Sequence, residues 1–313
     1  MKVAASRYLP VACFGKLPFW PEFLAVDVTE PTARHLKRWL HGGREYAGLQ
    51  AEEENPPDLP IKAHVRCLIE LSGAAELLAG VVRPSTDRGG RHFPFAVFTH
   101  FPRRIYGRHY ALLTLALAPI WDALEDAWQQ IHLASTEEEF RERLGAVEVP
   151  RPAERDAVRA VHRRMVRDDA DRLFGREAGT DAGLLAERMP DVVFRLRKLG
   201  ASDGLGLVLP VSEDLEEACF DAGWWIELLN RQFRLKRFEP SVFIDGRPAL
   251  KDRLAVLKFG PLAAEDYPCI MGLDPQADPF LRPLRGGSPV AGSATTKSGV
   301  SFEELLVRKL PRH

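Results

Sequence analysis

The sequence predicts an α/β protein of the α+β kind, with a largely antiparallel N-terminal sheet flanked by helices and a second, mixed α/β unit behind it. Three observations predict it. The apolar runs HVRCLIEL, LLAGVVRP and RHFPFAVFTHF follow one another closely, bounded by Gly, Ser and Pro; runs of that length and punctuation read as adjacent strands. Segments of helical period lie on both sides of them. Beyond a charged, Arg- and Asp-rich stretch, helix and strand patterns resume near residue 181.

In order, VACFGKLP opens as a short strand ending at Pro18. TEPTARHLKRWLHGG reads as a helix with Thr29 as N-cap, Pro31 in its first turn and Gly42-Gly43 as its stop. Its Leu36, Trp39 and Leu40 share one face, while Lys37 and Arg38 point elsewhere. AEEENPPDLP is a charged, proline-bearing loop. The last two of the three strands straddle STDRGG, which fits an antiparallel hairpin with a long loop. YALLTLALAPIWDALEDAWQQIHLA is a long helical pattern divided or kinked near Pro119, and STEEEFRERLG is a helix capped by Ser135 with Glu138 and stopped at Gly145.

Residues 153–172 read as a charged helix. LLAERMPDVVFRLRKLG is a further helix, GLGLVLPV a strand, and SEDLEEACFDAGWWIELLNRQF a helix with Ser212 as N-cap and acidic residues in its first turn. PSVFIDGRPAL reads as a strand and turn; LAVLKFGPL and DYPCIMGL are ambiguous. The tail is a small-residue linker ending in an amphipathic segment, Phe302 to Leu310. The domain reading is therefore an N-terminal domain over 1–145, a charged helical connector over 146–180, a C-terminal α/β unit over 181–282 and a linker with a short tail over 283–313.

Composition narrows the function classes. The chain of 313 residues, 45% hydrophobic and 28% charged, has the makings of a folded core. Its 43 basic and 44 acidic residues leave a formal charge of -1, so no global field draws in nucleic acid or anionic lipid. The N-terminus lacks a secretory h-region. The longest uncharged apolar run, ALLTLALAPIW, is too short for a membrane span, which needs roughly 20 residues. Cys13, Cys67, Cys219 and Cys269 are scattered, which fits free buried thiols in a reducing compartment. The expectation is a cytoplasmic protein with no cofactor, no metal and no nucleic-acid partner.

Few motifs carry chemistry. GSATTKS, Gly292 to Ser298, is like a phosphate-binding loop, but Thr296 stands where that loop needs glycine, and a flexible linker is the better reading. No metal-ligand or nucleophile-elbow spacing appears. Of Trp224-Trp225, adjacent on a helix, one packs inward while the other covers an interface or stays partly exposed.

RPSTDRGGRHFPF is the stretch most like a site. It sets Asp87, Arg88, Arg91 and His92 around Gly89-Gly90. Read as a turn, the glycines supply positive φ, Pro84 and Pro94 end strand pairing, and Asp87 caps loop amides or pairs with Arg88 or Arg91. Read as a site, Arg83, Arg88 and Arg91 can grip a carboxylate or phosphate bidentately. Asp87 and His92 could instead serve a hydrolase, provided they converge on a water or nucleophile.

Two segments together resemble the TagF (ImpM-like) family associated with type VI secretion. FGKLPFWPEF matches its opening strand and G-K-L-P signature, through Gly15, Lys16 and Pro18. AGVVRPSTDRGGRHFPFAV matches its G-x-x-x-P-S-x-D-x-x-G-R-x-x-P hairpin, through Gly80, Pro84, Ser85, Asp87, Arg88, Gly90, Arg91, Phe93 and Pro94. The resemblance covers residues 10–130 well. The chain departs from it at Phe19, Trp20, Pro21 and Glu22, where the family has a small residue, Arg, Gly and Asp. The resemblance implies a non-enzymatic accessory regulator, a post-translational repressor of type VI secretion acting through a forkhead-associated (FHA) scaffold protein, and it supplies no catalytic residues. The alternatives are a structural baseplate component and the Asp87–His92 hydrolase. The surface expected to meet the partner joins the two loops, with Phe19 and Trp20 exposed beside the arginines.

Overall fold

The computed structural model describes residues 8–50, 64–105, 107–152, 158–159, 206–233, 239–247, 250, 253–271 and 280–281. Apart from the helical pair Val158–Arg159, the expected connector helix, the helix near 184–200, the GSATTKS segment and the 302–310 tail lie outside them.

The strands are β1 (Tyr8–Leu9), β2 (Val11–Gly15), β3 (Leu24–Val26), β4 (Val65–Ile69), β5 (Glu76–Arg83), β6 (Phe95–Pro102), β7 (Val149–Pro150), β8 (Gly206–Pro210), β9 (Ser241–Asp245), β10 (Leu254–Lys258) and β11 (Phe280–Leu281). The helices are α1 (Pro31–Gln50), α2 (Leu113–Ala116), α3 (Ala118–His132), α4 (Glu137–Gly145), α5 (Leu215–Phe233) and α6 (Tyr267–Ile270). Nine strands form one sheet in the order β11-β8-β10-β9-β4-β5-β6-β2-β3, while β1 and β7 pair apart. Every pairing in the large sheet is antiparallel except β11 with β8. The C-terminal strands extend the N-terminal sheet: β9 pairs with β4, Cys67 opposite Phe243. The mixed second unit and the antiparallel first one thus share a continuous sheet.

Side chains alternate across that sheet with period two. Leu77, Ala79 and Val81 of β5, with Phe95, Val97 and Phe101 of β6, pack beneath Trp121 of α3 and Trp225 of α5. Leu78, Val82, Ala96 and Phe98 face the other way, onto Leu36, Trp39 and Leu40 of α1 and Tyr267 of α6. A sheet covered on both faces needs apolar residues at nearly every position, which is why the three strands read as unbroken apolar runs.

Helix boundaries depart from the sequence reading in informative ways. α1 starts at Pro31, with the Arg34 amide on the Glu30 carbonyl at 2.9 Å, one residue beyond an N-cap at Thr29. It also runs straight through Gly42-Gly43 to Gln50. Gly43 is needed for packing: a Cβ there would sit 2.3 Å from the Cβ of Tyr267, whose ring lies against the helix. The helical pattern after Ile105 divides at Leu117, which leaves Pro119 in the first turn of α3, as expected. The cap of α4 is Thr136, which accepts from the Glu139 amide at 3.2 Å, with Ser135 donating to the Glu139 carboxylate. α5 is capped by Asp214, which accepts from the Glu217 amide, and Ser212 instead accepts from the Asp214 amide. The ambiguous LAVLKFGPL is β10, and DYPCIMGL contains α6. Trp225 is fully buried and Trp224 half-buried, their rings 5.0 Å apart at a steep angle.

Candidate functional site

The two motif loops meet at the end of the sheet where β2, β5 and β6 open toward solvent. β2 ends at Gly15, three residues before Pro18, because Gly15 turns the chain with φ +141°. A Cβ at Gly15 would lie 2.2 Å from the Pro94 carbonyl oxygen, so the backbone of the first motif rests directly on that of the second.

From this contact the interlock builds outward. Ser85 donates its hydroxyl to the Lys16 carbonyl at 2.6 Å. The ammonium of Lys16, a residue 7% exposed overall and 9% over its side chain, reaches back to Asp87 Oδ2 at 2.7 Å. Arg91 Nε meets that same oxygen at 2.7 Å, while Asp87 Oδ1 accepts from the Gly89 and Arg91 amides at 2.9 and 3.0 Å. Two further bonds fasten the loops: the Arg88 amide donates to the Trp20 carbonyl at 3.2 Å, and Arg91 Nη2 to the Pro21 carbonyl at 2.9 Å. Gly90 takes the one positive φ of the glycine pair, +80°.

Asp87 therefore acts as a clamp. Burial works to raise its pKa, but hydrogen bonds from Lys16 and from the backbone and side chain of Arg91 outweigh it and hold the carboxyl well below the usual carboxylate range. Both oxygens are occupied and the group stays ionised. The sequence reading paired Asp87 with Arg88 or Arg91; Arg91 is there, but the deeper partner is Lys16, 71 residues away in sequence.

The structure brings the two loops together as expected, yet it redistributes their side chains. Arg83 is buried, 9% exposed, and cannot meet a partner. Its guanidinium stacks 5.3 Å from the Trp128 ring and contacts Glu125 at 3.3 Å. Phe19 and Trp20 are half-buried rather than exposed: both pack on the core, with Phe19 6.2 Å from Phe140. Pro18, Pro21, Glu22, Arg88, Gly89, Gly90 and Arg91 do face solvent. Gly80 serves the sheet, facing Phe98 across the β5–β6 ladder, where a Cβ would come within 2.9 Å of the Phe98 Cβ.

Sequence reasoning missed the aromatic cluster around Phe23. Phe23 is 41% exposed; it stacks on Phe14 at 5.8 Å and meets Phe93 at 4.7 Å and His41 of α1 at 4.6 Å edge to face. Lys16 lies 5.1 Å from the Phe23 ring centre and Lys37 5.1 Å from that of Phe14. Burial, then the charge on Lys37, depresses the His41 pKa. A helical period could have grouped His41 with Lys37, but nothing local ties either to Phe23.

It also missed the charge network under α3. Arg66, buried in β4, donates to Glu125 at 2.9 Å and to Asp122 at 2.7 Å. A cleft of about 590 Å³ opens at the far end of β5 and β6, beside Glu76, Arg104 and Tyr110; there Arg103 is tied to Glu70 at 2.7 Å and to Glu239. Among the described residues, no group of three or more His, Cys, Asp or Glu is placed to hold a metal ion, and no helix is long and apolar enough to cross a membrane.

Residues 12–147 match the TagF N-terminal domain, described as type VI secretion system-associated. A solved structure, that of PA0076 from Pseudomonas aeruginosa PAO1, aligns over 89% of this chain and 100% of its own at 15% identity, with a TM-score of 0.47. No curated protein matches the sequence.

Proposed function

We infer that this chain, a type VI secretion-associated protein by its TagF N-terminal domain, is a non-enzymatic accessory regulator that represses secretion after translation by binding an FHA-type scaffold protein in the cytoplasm. One observation carries the reading: the two family motifs are spent on locking two loops into a rigid platform, and no titratable group is left free at its centre. Asp87, the only carboxylate in the hairpin motif, has both oxygens taken by Lys16, Arg91 and two amides. A hydrolase that used Asp87 with His92 would have to break that clamp to gain a base. A preorganised loop pair suits binding, since little side-chain or backbone freedom is lost on docking. It presents Arg88, which is exposed and has no ion pair among the described residues, and the outer face of Arg91.

The test is affinity capture with the purified chain as bait, read together with secretion output in a strain lacking it. The reading expects the scaffold to be retained and secretion to rise on deletion. Arg88→Glu should weaken capture while leaving the thermal midpoint unchanged. Capture of baseplate components in place of the scaffold would favour the structural alternative; unchanged secretion on deletion would overturn the regulatory reading.

A further inference from the structure

The outward face of α1 carries cations that neither motif explains. Arg34, Lys37, Arg38 and His41 recur at i, i+3, i+4 and i+7 and so share one side of the helix. Arg34 and Arg38 are exposed, and Lys37 and His41 half-buried. None of the three cations has an ion pair among the described residues, although a helix surface ordinarily offers acidic neighbours one turn away. The stripe also adjoins the loop platform. His41 packs on Phe23, Phe14 and Phe93, and Phe23 directly follows the FWPE loop. The half-exposed Phe23 thus links the Arg88–Arg91 hairpin to the helix. β3, which begins just beyond it, is the outermost strand on this side of the sheet.

We propose that the α1 stripe of Arg34, Lys37 and Arg38, with Phe23 as its apolar anchor, is the docking surface for an acidic segment of a partner protein. The proposal rests on reading the chain as a partner-binding regulator and adds the surface and the chemistry of what binds there. Charge complementarity selects the occupant. Side chains one turn apart on a helix lie about 5–6 Å from one another, a spacing that successive acidic side chains can match. Guanidiniums grip carboxylates bidentately. An aromatic beside arginines is the composition of an interface hot spot.

The acidic residues around the stripe limit what fits. Glu30 and Glu45 lie at its two ends and Glu22 beside Phe23, so the positive field spans about two helical turns. A chain of net charge -1 adds no longer-range attraction. A polyanion such as nucleic acid draws its affinity from many phosphate contacts along its length, and a lipid surface needs a broader basic face. A short acidic segment with one apolar side chain fills the stripe and the Phe23 shelf together.

The experiment compares the full chain with Arg34→Glu/Arg38→Glu, and separately with the milder Arg34→Ala/Arg38→Ala and Phe23→Ala. Anisotropy of a fluorescein-labelled peptide rich in Glu and Asp, with one central Leu, is read at 50 and 150 mM salt. The surface predicts saturable, salt-sensitive binding that weakens by roughly tenfold in the charge reversal and severalfold in the other variants, with unchanged melting in the arginine variants and Phe23→Ala assayed below its own, lower midpoint. Equal binding by wild type and variants overturns it. So does charge-dependent binding to vesicles with one third phosphatidylserine when the peptide does not bind.

The purified FHA scaffold is the second probe. If wild type and the charge reversal bind the scaffold equally, the surface is wrong and the partner reading stands. If only the peptide binds, in a way the variants abolish, the surface stands and the scaffold is not the partner.

Discussion

The sharpest stability prediction concerns the Lys16–Asp87 clamp. Asp87→Asn keeps the shape of the side chain, and its remaining oxygen can still accept from the Gly89 and Arg91 amides. What it removes is the charge facing the ammonium of Lys16, a residue that is 7% exposed. Deleting one partner of a buried pair costs about 3–5 kcal/mol, mostly for the charge left behind. The low end, about 3 kcal/mol, applies here, because the second cation, Arg91, has a 64% exposed side chain that water can solvate. For a chain of 313 residues that corresponds to a loss of roughly 5 °C in midpoint. Lys16→Met should cost less, since Arg91 and two amides still hold Asp87. The double variant should be more stable than the sum of the singles by about 2 kcal/mol. Urea unfolding followed by tryptophan fluorescence measures all four proteins. The pH dependence has a definite sign: the folded-state pKa of Asp87 is lowered, so its contribution is complete above the unfolded carboxyl value of about 3.9 and fades as pH falls toward the folded one. The gap between wild type and Asp87→Asn should therefore be level from pH 8 to 5 and narrow below about 4. A variant within about 0.5 kcal/mol of wild type, or a gap that widens in acid, would refute the clamp.

Three further outcomes follow from the packing. Gly43→Ala should destabilise by about 1–3 kcal/mol in thermal melts despite alanine's better helix propensity, because its Cβ collides with Tyr267; Gly42→Ala, whose nearest neighbour would be Ala264 Cβ at 3.8 Å, should instead be neutral or stabilising. Cys13, Cys67 and Cys219 are buried and burial pushes each thiol up to about 12, so an aromatic disulfide reagent at pH 8 should label none of them until urea unfolds the chain. Burial lowers the pKa of His35, His41, His64, His100 and His132, so their stabilising contribution is full above about 6.5 and is lost as pH falls below it. His35 Nε2 accepts the Leu262 amide at 3.0 Å, so His35→Gln should reduce the fall in midpoint between pH 7 and 5.

The strands were legible because a sheet buried on both faces leaves its mark in consecutive residues: β4 lies within the first of the three apolar runs, and β5 and β6 overrun theirs by one residue each, Glu76 and Pro102. The helix ends were less so. Gly42-Gly43 reads as a stop because glycine is the usual helix terminator, yet the same residue also fits wherever another ring must touch the helix backbone. Tyr267 is more than 200 residues away in sequence, and only tertiary structure separates the two uses. The seam between β4 and β9 was illegible for a related reason. Both strands are mostly apolar, and composition does not say which strand of a distant segment lies alongside which.

The site divides along the same line. The motif residues themselves could be picked out in sequence, as could the proximity of the two loops, because the resemblance carries both segments together. Their roles could not. Three arginines look alike in RPSTDRGGR, but strand alternation turns Arg83 inward onto Trp128, while Arg88 and Arg91 stand on the loop beyond the last ladder pair, Arg83 with Phe95. Lys16 looks like a surface cation and is instead the buried counter-charge of Asp87. Among the described residues, Arg88 of the hairpin and Arg34, Lys37 and Arg38 of α1 are left without an ion pair once these demands are met. An unpaired cation adds nothing to stability on a surface where a pair is itself worth about 0–1 kcal/mol. Two arginines and a lysine held on one helical face, beside a half-exposed phenylalanine, are therefore better accounted for by what docks on them than by the fold they decorate.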